Sequence, residues 1–348
     1  MFMNVAIIGF GNAVVNYRLP YLDKKENIKV KTIYRREEDR VGDTEGELLY
    51  PELAFSTNFE DILQDDEIEL IVVATHVDSH VEYAKQALEH GKHVLVEKPF
   101  ASTSAEAKAV FELASRKNLN AMANQNRRFD GDFLTLKKVI ESGKLGNIVE
   151  IQSHYDYFHP QYTRSGFGLL HGLAVHTIDQ LISIYGVADR IDYDVRSLIA
   201  PGESDDYIDI DFRYGRMKAT IKCSLLVKIE HPKFIVHGDR GSFVKYSSGH
   251  QTKNGDGRTR VSIQAEPEDN WGTISYVDDE GTSHTEKVPS EATDYGILYD
   301  QLLHAIRHSG DKPVKDEEVL YVLDILHDGI EAAKRANRQT TNDRSETI

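Results

Sequence analysis

The sequence predicts an α/β domain built on a doubly wound parallel sheet, followed by an α+β domain with a large, mostly antiparallel sheet covered by helices on one face. Three observations lead to this prediction. The chain has 348 residues, which is long for one hydrophobic core. Buried strands alternate with helices in its first third, as in parallel sheets. From residue 148 onward, strands follow one another across short turns, as in antiparallel sheets.

The predicted domain boundaries follow the change in this pattern. Residues 1–123 form the first domain, residues 124–338 form the second, and residues 339–348 form a polar, flexible tail. The second domain is expected to hold the substrate and the contacts between subunits.

Charge and composition exclude several classes of partner. The formal net charge of −16 disfavours nucleic acid and anionic lipid as partners. The single cysteine, Cys223, allows neither an intrachain disulfide nor a cysteine metal site, so we expect a reducing compartment and an inert thiol. No signal peptide and no run of roughly 20 apolar residues is found. The sequence therefore predicts a cytoplasmic protein without a metal site.

The first strand and the turn after it are typical of dinucleotide binding. Residues 5–8 form a short buried strand, and Gly9 and Gly11 follow at once, before a helix predicted to reach about Leu22. The glycines allow a tight turn close to a pyrophosphate, although such a pair also occurs in ordinary turns. Val14 replaces the usual third glycine, which predicts a wider approach of helix and strand.

The end of the second predicted strand, residues 28–34, bears on the choice of cofactor. An NAD site usually has an acidic residue there, which repels a 2′-phosphate. This chain has Arg35 and Arg36, whose guanidinium groups suit a phosphate, so NADP is predicted with NAD as the alternative. The competing interpretation pairs both arginines with the acidic residues 37–39.

Residues 40–82 continue the alternation of strands and helices after an irregular segment. Residues 40–57 lack periodicity and are expected to be irregular, and residues 70–74 form a buried strand that ends at Thr75 and His76. Ser79 and Glu82 have the spacing of a capping box at the start of a helix.

Histidines 76 and 80 flank that helix start. A hydrogen-bonding or capping role and a cofactor contact are equally compatible with both side chains.

The run from His93 to Pro99 places Lys98 just after the end of a predicted strand. Val94 to Val96 form a buried strand, and Pro99 prevents it from continuing far. Ligands bind outside the carboxyl ends of parallel strands, so Lys98 stands where chemistry is expected, although most such lysines only face solvent. A helix at 104–117 and a strand at 119–123 complete the domain.

The second domain is predicted to contain seven strands, at 148–157, 190–198, 206–213, 216–227, 233–237, 242–246 and 273–278. A helix at 169–185 carries His176 and Asp179 on one side, where His176 is either a site residue or a satisfied core histidine. Residues 247–258 and 264–272 are expected to be mobile loops, and two helices at 295–308 and 315–336 close the domain.

Polar and aromatic side chains before the 169–185 helix suit a polyhydroxy ligand, and strand packing explains some of them equally well. They are Tyr155, Tyr157, Phe158, His159, Tyr162 and Arg164.

The ordered motifs GFGNAV, VVATHVDSH, HVLVEKPF, NQNRRFD and GLAVHTIDQLISIYG resemble the glucose–fructose oxidoreductase/inositol dehydrogenase/MocA-like family along essentially the whole chain. The resemblance is greatest to bacterial members of the NADP-dependent scyllo-inositol dehydrogenase type. It implies an N-terminal Rossmann domain and catalytic roles for Lys98 and His176. Many members also carry an aspartate four residues before the histidine, where this chain has Gly172, and this weakens the proton-relay assignment.

The resemblance also implies the ligand contacts. Cofactor contacts are predicted for Gly9, Gly11, Asn12, Arg35, Arg36, Thr75, His76, His80, Glu97, Lys98 and Asn126. Substrate contacts are predicted for Arg127, Tyr157, His159 and Asp179.

The expected activity is hydride transfer between nicotinamide and a secondary alcohol or ketone of a sugar or cyclic polyol. A biliverdin-reductase-like or glycosidase-like activity of the same fold is a distant rival, and a cofactor-bound sensor or interaction protein without turnover is the alternative from another class. The expected assembly is a homodimer or homotetramer.

Overall fold

The computed structural model describes residues 2–41, 45–161, 168–201, 203–246, 251–253, 258–261, 263 and 266–345. Two compact units divide the chain. Unit 1 comprises Met1–Phe129, Gly249–Ile263 and Asp294–Leu323, and unit 2 comprises Asp130–Ser248, Gln264–Thr293 and Asp324–Ile348. The predicted ligand residues Tyr162 and Arg164 lie outside the described residues.

A six-stranded sheet forms the centre of unit 1. Its strands are β1 (Met3–Ile8), β2 (Ile28–Tyr34), β3 (Ala54–Ser56), β4 (Ile68–Val73), β5 (His93–Val96) and β6 (Ala121–Ala123). All neighbours pair in parallel in the order β3-β2-β1-β4-β5-β6. The strand order reverses direction between β1 and β4, which confirms the doubly wound topology and places the ligand crevice at their carboxyl ends.

The helices along this part of the chain are α1 (Asn12–Tyr17), α2 (Leu19–Leu22), α3 (Glu37–Arg40), α4 (Glu45–Leu48), α5 (Glu60–Leu63), α6 (His80–Glu89) and α7 (Ser104–Arg116). The prediction of one helix from residue 12 to Leu22 is wrong, because the helix is interrupted at Arg18, between α1 and α2. Pro20 explains the break, since a proline inside a helix removes a hydrogen bond and clashes with the preceding turn.

The capping box predicted at Ser79 is also wrong. The Ser79 hydroxyl donates to the His76 carbonyl at 2.9 Å and makes no cap bond with α6. The box forms one helix later, where Thr103 accepts from the Glu106 amide at 3.2 Å and the Glu106 carboxylate accepts from the Thr103 amide at 3.0 Å.

The later strands are β7 (Ile148–Asp156), β8 (Arg190–Arg196), β9 (Tyr207–Tyr214), β10 (Met217–Ser224), β11 (Phe234–Gly238), β12 (Gly241–Lys245), β13 (Gln251–Lys253), β14 (Thr259–Val261), β15 (Gly272–Val277) and β16 (Ser283–Val288). Eight of them form one sheet in the order β16-β15-β12-β11-β7-β10-β9-β8. Only β7 and β10 pair in parallel among these strands, so the prediction of a mostly antiparallel sheet is confirmed.

The remaining helices are α8 (Gly131–Glu141), α9 (Val175–Tyr185), α10 (Gly296–His308) and α11 (Asp316–Ser345), and a π-helical turn at Leu170–Ala174 precedes α9. Side chains from α8, α9 and the sheet line one small apolar cavity, among them Phe133, Ile151, Leu181 and Phe234. Helices therefore cover one face of the large sheet, as predicted. No helix in the described part of the chain has the length and hydropathy of a membrane span.

Several elements differ from the sequence prediction. The short helix α4 and strand β3 lie within the segment expected to be irregular at 40–57, and the sequence pattern does not predict β16. Strands β13 and β14 pair within the predicted loop at 247–258 and beyond it, while residues 247–250 and 254–257 lie outside the described residues. Helix α11 continues to Ser345 instead of ending near residue 336.

The described part of the predicted loop at 264–272 is ordered by buried polar contacts. The Lys245 ammonium pairs with Glu266 at 2.8 Å, and the Trp271 indole donates to the Glu266 carbonyl at 2.9 Å. A buried ion pair and an anchored indole explain why this polar segment folds back onto β12.

Candidate functional site

A cavity of about 720 Å³ lies at the carboxyl ends of β1, β2 and β4 in unit 1. Six residues predicted from the sequence to contact the cofactor line it, namely Gly9, Gly11, Arg35, Arg36, Thr75 and His76. The predicted residues Asn12, His80, Glu97, Lys98 and Asn126 are not part of its lining. Its other polar lining residues are Asp39, Asp78, Ser79, Glu82 and the two tyrosines 34 and 83.

Gly9 and Gly11 serve this cavity for different reasons. Gly9 has a φ of +97°, and a Cβ there would lie 2.6 Å from the Ala74 carbonyl oxygen. Only glycine fits that position, because both the backbone angle and the close approach exclude a side chain. A Cβ at Gly11 would meet nothing within 4 Å, so the space in front of α1 is open to a ligand.

The Arg35 side chain is buried and held by the fold. Its guanidinium donates to Glu47 at 2.9 Å and to the Asp39 carbonyl at 2.6 Å, and it lies 5.5 Å from the centre of the Phe10 ring. Glu47 is also paired with Arg40 at 2.8 Å. Arg35 therefore shapes the cavity wall with a guanidinium that is already engaged.

Arg36 is the more accessible cation, since its side chain is 53% exposed. It donates two parallel hydrogen bonds of 2.8 Å to the carboxylate of Asp39. These bonds hold the pKa of Asp39 below its usual range. The acidic partner named in the competing sequence interpretation is thus in contact with Arg36, and a phosphate has to compete with Asp39 for it.

Thr75, His76 and His80 occupy distinct positions after β4. The Thr75 hydroxyl lies 2.7 Å from the Ser79 hydroxyl, and the exposed His76 ring lies 3.0 Å from Asp78. His80 is buried, with one ring nitrogen 3.0 Å from the Pro99 carbonyl and the other 3.1 Å from the Thr75 carbonyl. Burial lowers its pKa. The ring of His80 therefore links the loops that follow β4 and β5.

A buried ion pair involves Glu97, the residue before Lys98. Glu97, the preceding residue, pairs with Arg18 and accepts from the Asn124 amide at 3.2 Å. Its second oxygen accepts from the Lys98 amide at 3.3 Å. Both charged side chains are more than nine-tenths buried, whereas Lys98 is half-buried. The contacts of Glu97 thus fix the backbone from which the Lys98 side chain extends.

A 3₁₀ turn at Asn126–Phe129 follows β6. Asn126 is buried and Arg127 is half-buried. The next residue, Arg128, forms a buried ion pair of 2.8 Å with Glu318 and anchors the turn. In this NRRF sequence, Arg128 therefore stabilises the fold, and Arg127 remains the predicted substrate residue.

In unit 2, His176 and Asp179 lie in the first turns of α9 and are both buried. The π-helical turn before α9 is held by Asp205, whose carboxylate accepts from the Leu170 amide at 2.6 Å. Gly168 lets Asp205 approach, because a Cβ there would lie 2.3 Å from the Asp205 carbonyl oxygen. Burial raises the pKa of Asp205.

A second cavity, of about 220 Å³, lies within unit 2 beside this turn. It contains His159 and Gly172 together with the acidic residues Glu203, Asp205 and Asp206. The exposed Tyr157 ring lies 6.1 Å from the His159 ring, while Tyr157, His176 and Asp179 are not part of the cavity lining. Gly172 thus borders an acidic cavity.

Sequence reasoning missed Arg18, Asp39 and Asp205. In the sequence, Asp39 is only one member of an acidic run. In the structure it lies in α3, where its carboxylate contacts Arg36 at the end of β2. The partners of Arg18 and Asp205 are 79 and 35 residues away in the sequence. No local pattern reports such pairings, so only the folded chain reveals them.

Comparison with known proteins agrees with this architecture. The family model described as "Oxidoreductase family, NAD-binding Rossmann fold" (GFO_IDH_MocA) matches residues 3–125. The companion model, "Oxidoreductase family, C-terminal alpha/beta domain", matches residues 137–340.

Individual relatives match along nearly the full chain. The uncharacterized oxidoreductase YhhX of Escherichia coli K12 is 46% identical over 96% of this chain and 97% of its own. A crystal structure of a probable oxidoreductase yhhX superimposes with a TM-score of 0.87 at 44% identity, covering 94% of this chain and 96% of that one. The Bacillus subtilis scyllo-inositol 2-dehydrogenase (NADP(+)) IolW is 28% identical over 95% of this chain and 94% of its own.

Proposed function

Because the chain belongs to the GFO_IDH_MocA oxidoreductase family and is an NAD(P)-dependent oxidoreductase, we propose that it uses NADP to interconvert a secondary alcohol and a ketone of a sugar or cyclic polyol. The observation that carries the cofactor part is the cavity at the carboxyl ends of β1, β2 and β4, where a glycine turn and two arginines meet.

The residues of this cavity fit a dinucleotide. The Gly9 position excludes a side chain, and the space at Gly11 is open, so backbone amides are accessible to a pyrophosphate. Asn12, Thr75 and His76 follow the glycine turn or the end of β4, where the family binds its cofactor. Bound nicotinamide would accept or donate the hydride.

Arg36 is proposed as the main ligand of the 2′-phosphate, with Arg35 as its support. Arg36 is half-exposed, whereas Arg35 is buried against Glu47 and Phe10. A guanidinium binds phosphate through two parallel hydrogen bonds, the arrangement that Arg36 makes with Asp39. Asp39 is then the competitor that the phosphate displaces.

The roles proposed for Lys98 and His176 follow from the chemistry of alcohol oxidation. A neutral histidine takes the hydroxyl proton as the hydride leaves, and an ammonium stabilises the negative charge that develops on the oxygen. Lys98 is half-buried after β5, and His176 is buried in α9. Both environments limit the access of water to the ammonium and the imidazole.

The remaining predicted residues are proposed to orient the substrate. Asp179 is one turn from His176 on α9, and Tyr157 and His159 follow the end of β7. Carboxylate, phenol and imidazole groups all bind hydroxyls, as does the guanidinium of Arg127. A polyhydroxylated substrate matches this set of side chains, and the name of the relative IolW supports a cyclic polyol.

A sensor or interaction protein that binds the cofactor without turnover is the second candidate. Gly172 favours it, because the side chain that could pass a proton onward from His176 in many relatives is missing here. Turnover of any alcohol or ketone would exclude this candidate.

The cofactor proposal is tested with kcat/KM for NADP and NAD in the wild type, Arg36→Ala, Arg35→Ala and Asp39→Asn. Losing the charge-assisted phosphate contacts in Arg36→Ala should lower the NADP value about 10- to 100-fold and leave NAD little changed. Asp39→Asn should raise the ratio of NADP to NAD, because it removes a competitor and a repulsive charge.

Glu38→Gln is the matched control, since Glu38 also approaches Arg36, at 3.3 Å, but is two-thirds exposed. A wild type that prefers NAD, or an Arg36→Ala variant with unchanged selectivity, would remove the arginines from the proposal.

A further inference from the structure

Three potential metal ligands meet at the end of β7 in unit 2, and none of them lines the three cavities described above. They are His154, Asp156 and His231, and one ligand atom from each lies within 4.8 Å of the other two. The carboxylate oxygen Oδ2 of Asp156 is 3.0 Å from Nδ1 of His154 and 3.0 Å from Nδ1 of His231. The two imidazole rings are 4.9 Å apart.

The cluster lies on the sheet face opposite α9. Ile151 and Ser153 line the small cavity against α9. Side chains alternate between the two faces along a strand, so His154 and Asp156 point to the other face. His231 reaches the same face from the loop between β10 and β11.

Both ring nitrogens of His154 lie close to oxygen atoms of other side chains. The Gln152 amide nitrogen donates to Glu150 at 3.0 Å, which turns its oxygen toward Nε2 of His154, at 3.4 Å. Nδ1 of His154 faces Oδ2 of Asp156 at 3.0 Å, a position that either a proton or a metal ion can occupy between the two atoms.

The Asp156 carboxylate is suited to hold such a cation. Its side chain is only 7% exposed, and Oδ1 makes no hydrogen bond within the described part of the chain. One buried oxygen of this carboxylate is therefore still able to bind a ligand.

Two lysines near this cluster contact other groups. Lys222 lies next to His154 in the β7–β10 register, and its ammonium pairs with Asp209 at 2.8 Å. The Lys233 ammonium lies over the Tyr155 ring at 3.4 Å, and Tyr155 is on the opposite strand face from His154. Both ammonium groups therefore contact groups other than the three potential metal ligands.

We propose that His154, Asp156 and His231 bind one divalent transition-metal ion of the Zn²⁺ class through two imidazole nitrogens and a carboxylate. Two nitrogens and one oxygen suit Zn²⁺, and Mg²⁺ prefers an all-oxygen shell. His231 is 51% exposed, so the fourth coordination position opens to solvent. The ion would tie the β10–β11 loop to β7, beside the Tyr157 amide that donates to Ser224 at 2.8 Å.

The test is titration of the chelator-treated full-length protein with Zn²⁺ by calorimetry, and with Co²⁺ by visible absorption. We expect one ion per chain, a Co²⁺ spectrum typical of four- or five-coordination, and no saturable binding of Mg²⁺. Affinity should fall as the pH falls, because both histidines must be neutral to bind metal.

Removing any one ligand should weaken binding by at least about tenfold. The variants are His154→Ala, His231→Ala and the nearly isosteric Asp156→Asn, which preserves shape if an alanine variant does not fold. His284→Ala is the matched control, since His284 pairs with Asp278 at 2.6 Å and belongs to no such three-residue group in the described chain.

The proposal is overturned if wild-type protein shows no saturable Zn²⁺ binding, or if Asp156→Asn and His231→Ala bind as the wild type does. Equal losses in His284→Ala would also overturn it, because binding would then be distributed over surface histidines. None of these readouts depends on turnover, so the result stands apart from the proposed enzymatic function.

Discussion

Lys98 is the residue on which the proposed chemistry most depends. Its amide is held by Glu97 at 3.3 Å, and its ammonium is proposed to stabilise the charge that grows on the substrate oxygen. Lys98→Ala should therefore lower kcat about a hundredfold or more and change the cofactor Kd much less. Steady-state kinetics and a cofactor fluorescence titration measure the two quantities, and a variant with wild-type kcat would reject the role.

A second prediction at the scale of single residues concerns His176, the proposed base. A base must be neutral to take a proton, so the rate of alcohol oxidation should rise with pH as the His176 imidazole loses its proton. His176→Ala should be slow and should lose this rise. An alanine variant that keeps the wild-type pH profile would mean that another group accepts the proton.

Cys223 is expected to be inert in the native protein. It is fully buried, and burial raises the pKa of its thiol to about 12. Because the thiolate is the nucleophile, iodoacetamide at pH 8 should leave the folded chain unmodified and alkylate it in urea. Mass spectrometry of both samples is the measurement, and rapid alkylation without urea would contradict the buried position.

At the scale of elements, the ion pair of Arg18 and Glu97 joins the α1–α2 break to the end of β5. Arg18→Met would leave a buried carboxylate without its cation, which typically costs about 3–5 kcal/mol of unfolding free energy. Arg18→Met/Glu97→Gln should recover part of this loss, because the uncompensated charge is gone. Urea denaturation of the single and double variants measures the coupling, and strictly additive effects would contradict it.

Local patterns predicted those elements whose signal lies in consecutive residues. Buried strands such as β1, β4 and β5 are continuous apolar runs, and the parallel topology follows from their alternation with helices. The glycine turn could be predicted because its position after the first strand leaves few alternatives. The cavity residues Gly9, Arg35 and Thr75 followed from the same rule about strand ends.

Other features depend on contacts between residues that are far apart in the sequence, which no local pattern predicts. The short edge strand β3 has three residues and depends on its pairing with β2. Strand β14 is placed by contacts such as the hydrogen bond of Thr259 with Asn16, 243 residues apart in the sequence. The π-helical turn before α9 depends on the distant carboxylate of Asp205. Propensity could not reveal these, because tertiary partners determine them.

At the scale of the whole molecule, we predict a homo-oligomer, because α8 and α9 pack on one face of the large sheet and leave the described part of the other face for a second copy. The other face carries ion pairs between neighbouring strands, such as Lys218 with Asp211 and Lys222 with Asp209, each at 2.8 Å. Association through such a polar face should weaken as salt screens its charges. Light scattering at micromolar concentration should show more than a monomer in low salt, and a monomer at every salt concentration would contradict the prediction.

The most direct test of the proposed function is turnover by the purified chain with NADP and a panel of inositols and aldoses, followed by the absorbance of reduced nicotinamide. We predict that at least one cyclic polyol or sugar is oxidised by the wild type and that Lys98→Ala and His176→Ala lose this rate while still binding the cofactor. Tight cofactor binding without turnover of any member of the panel, in either direction, would contradict the account and favour the sensor.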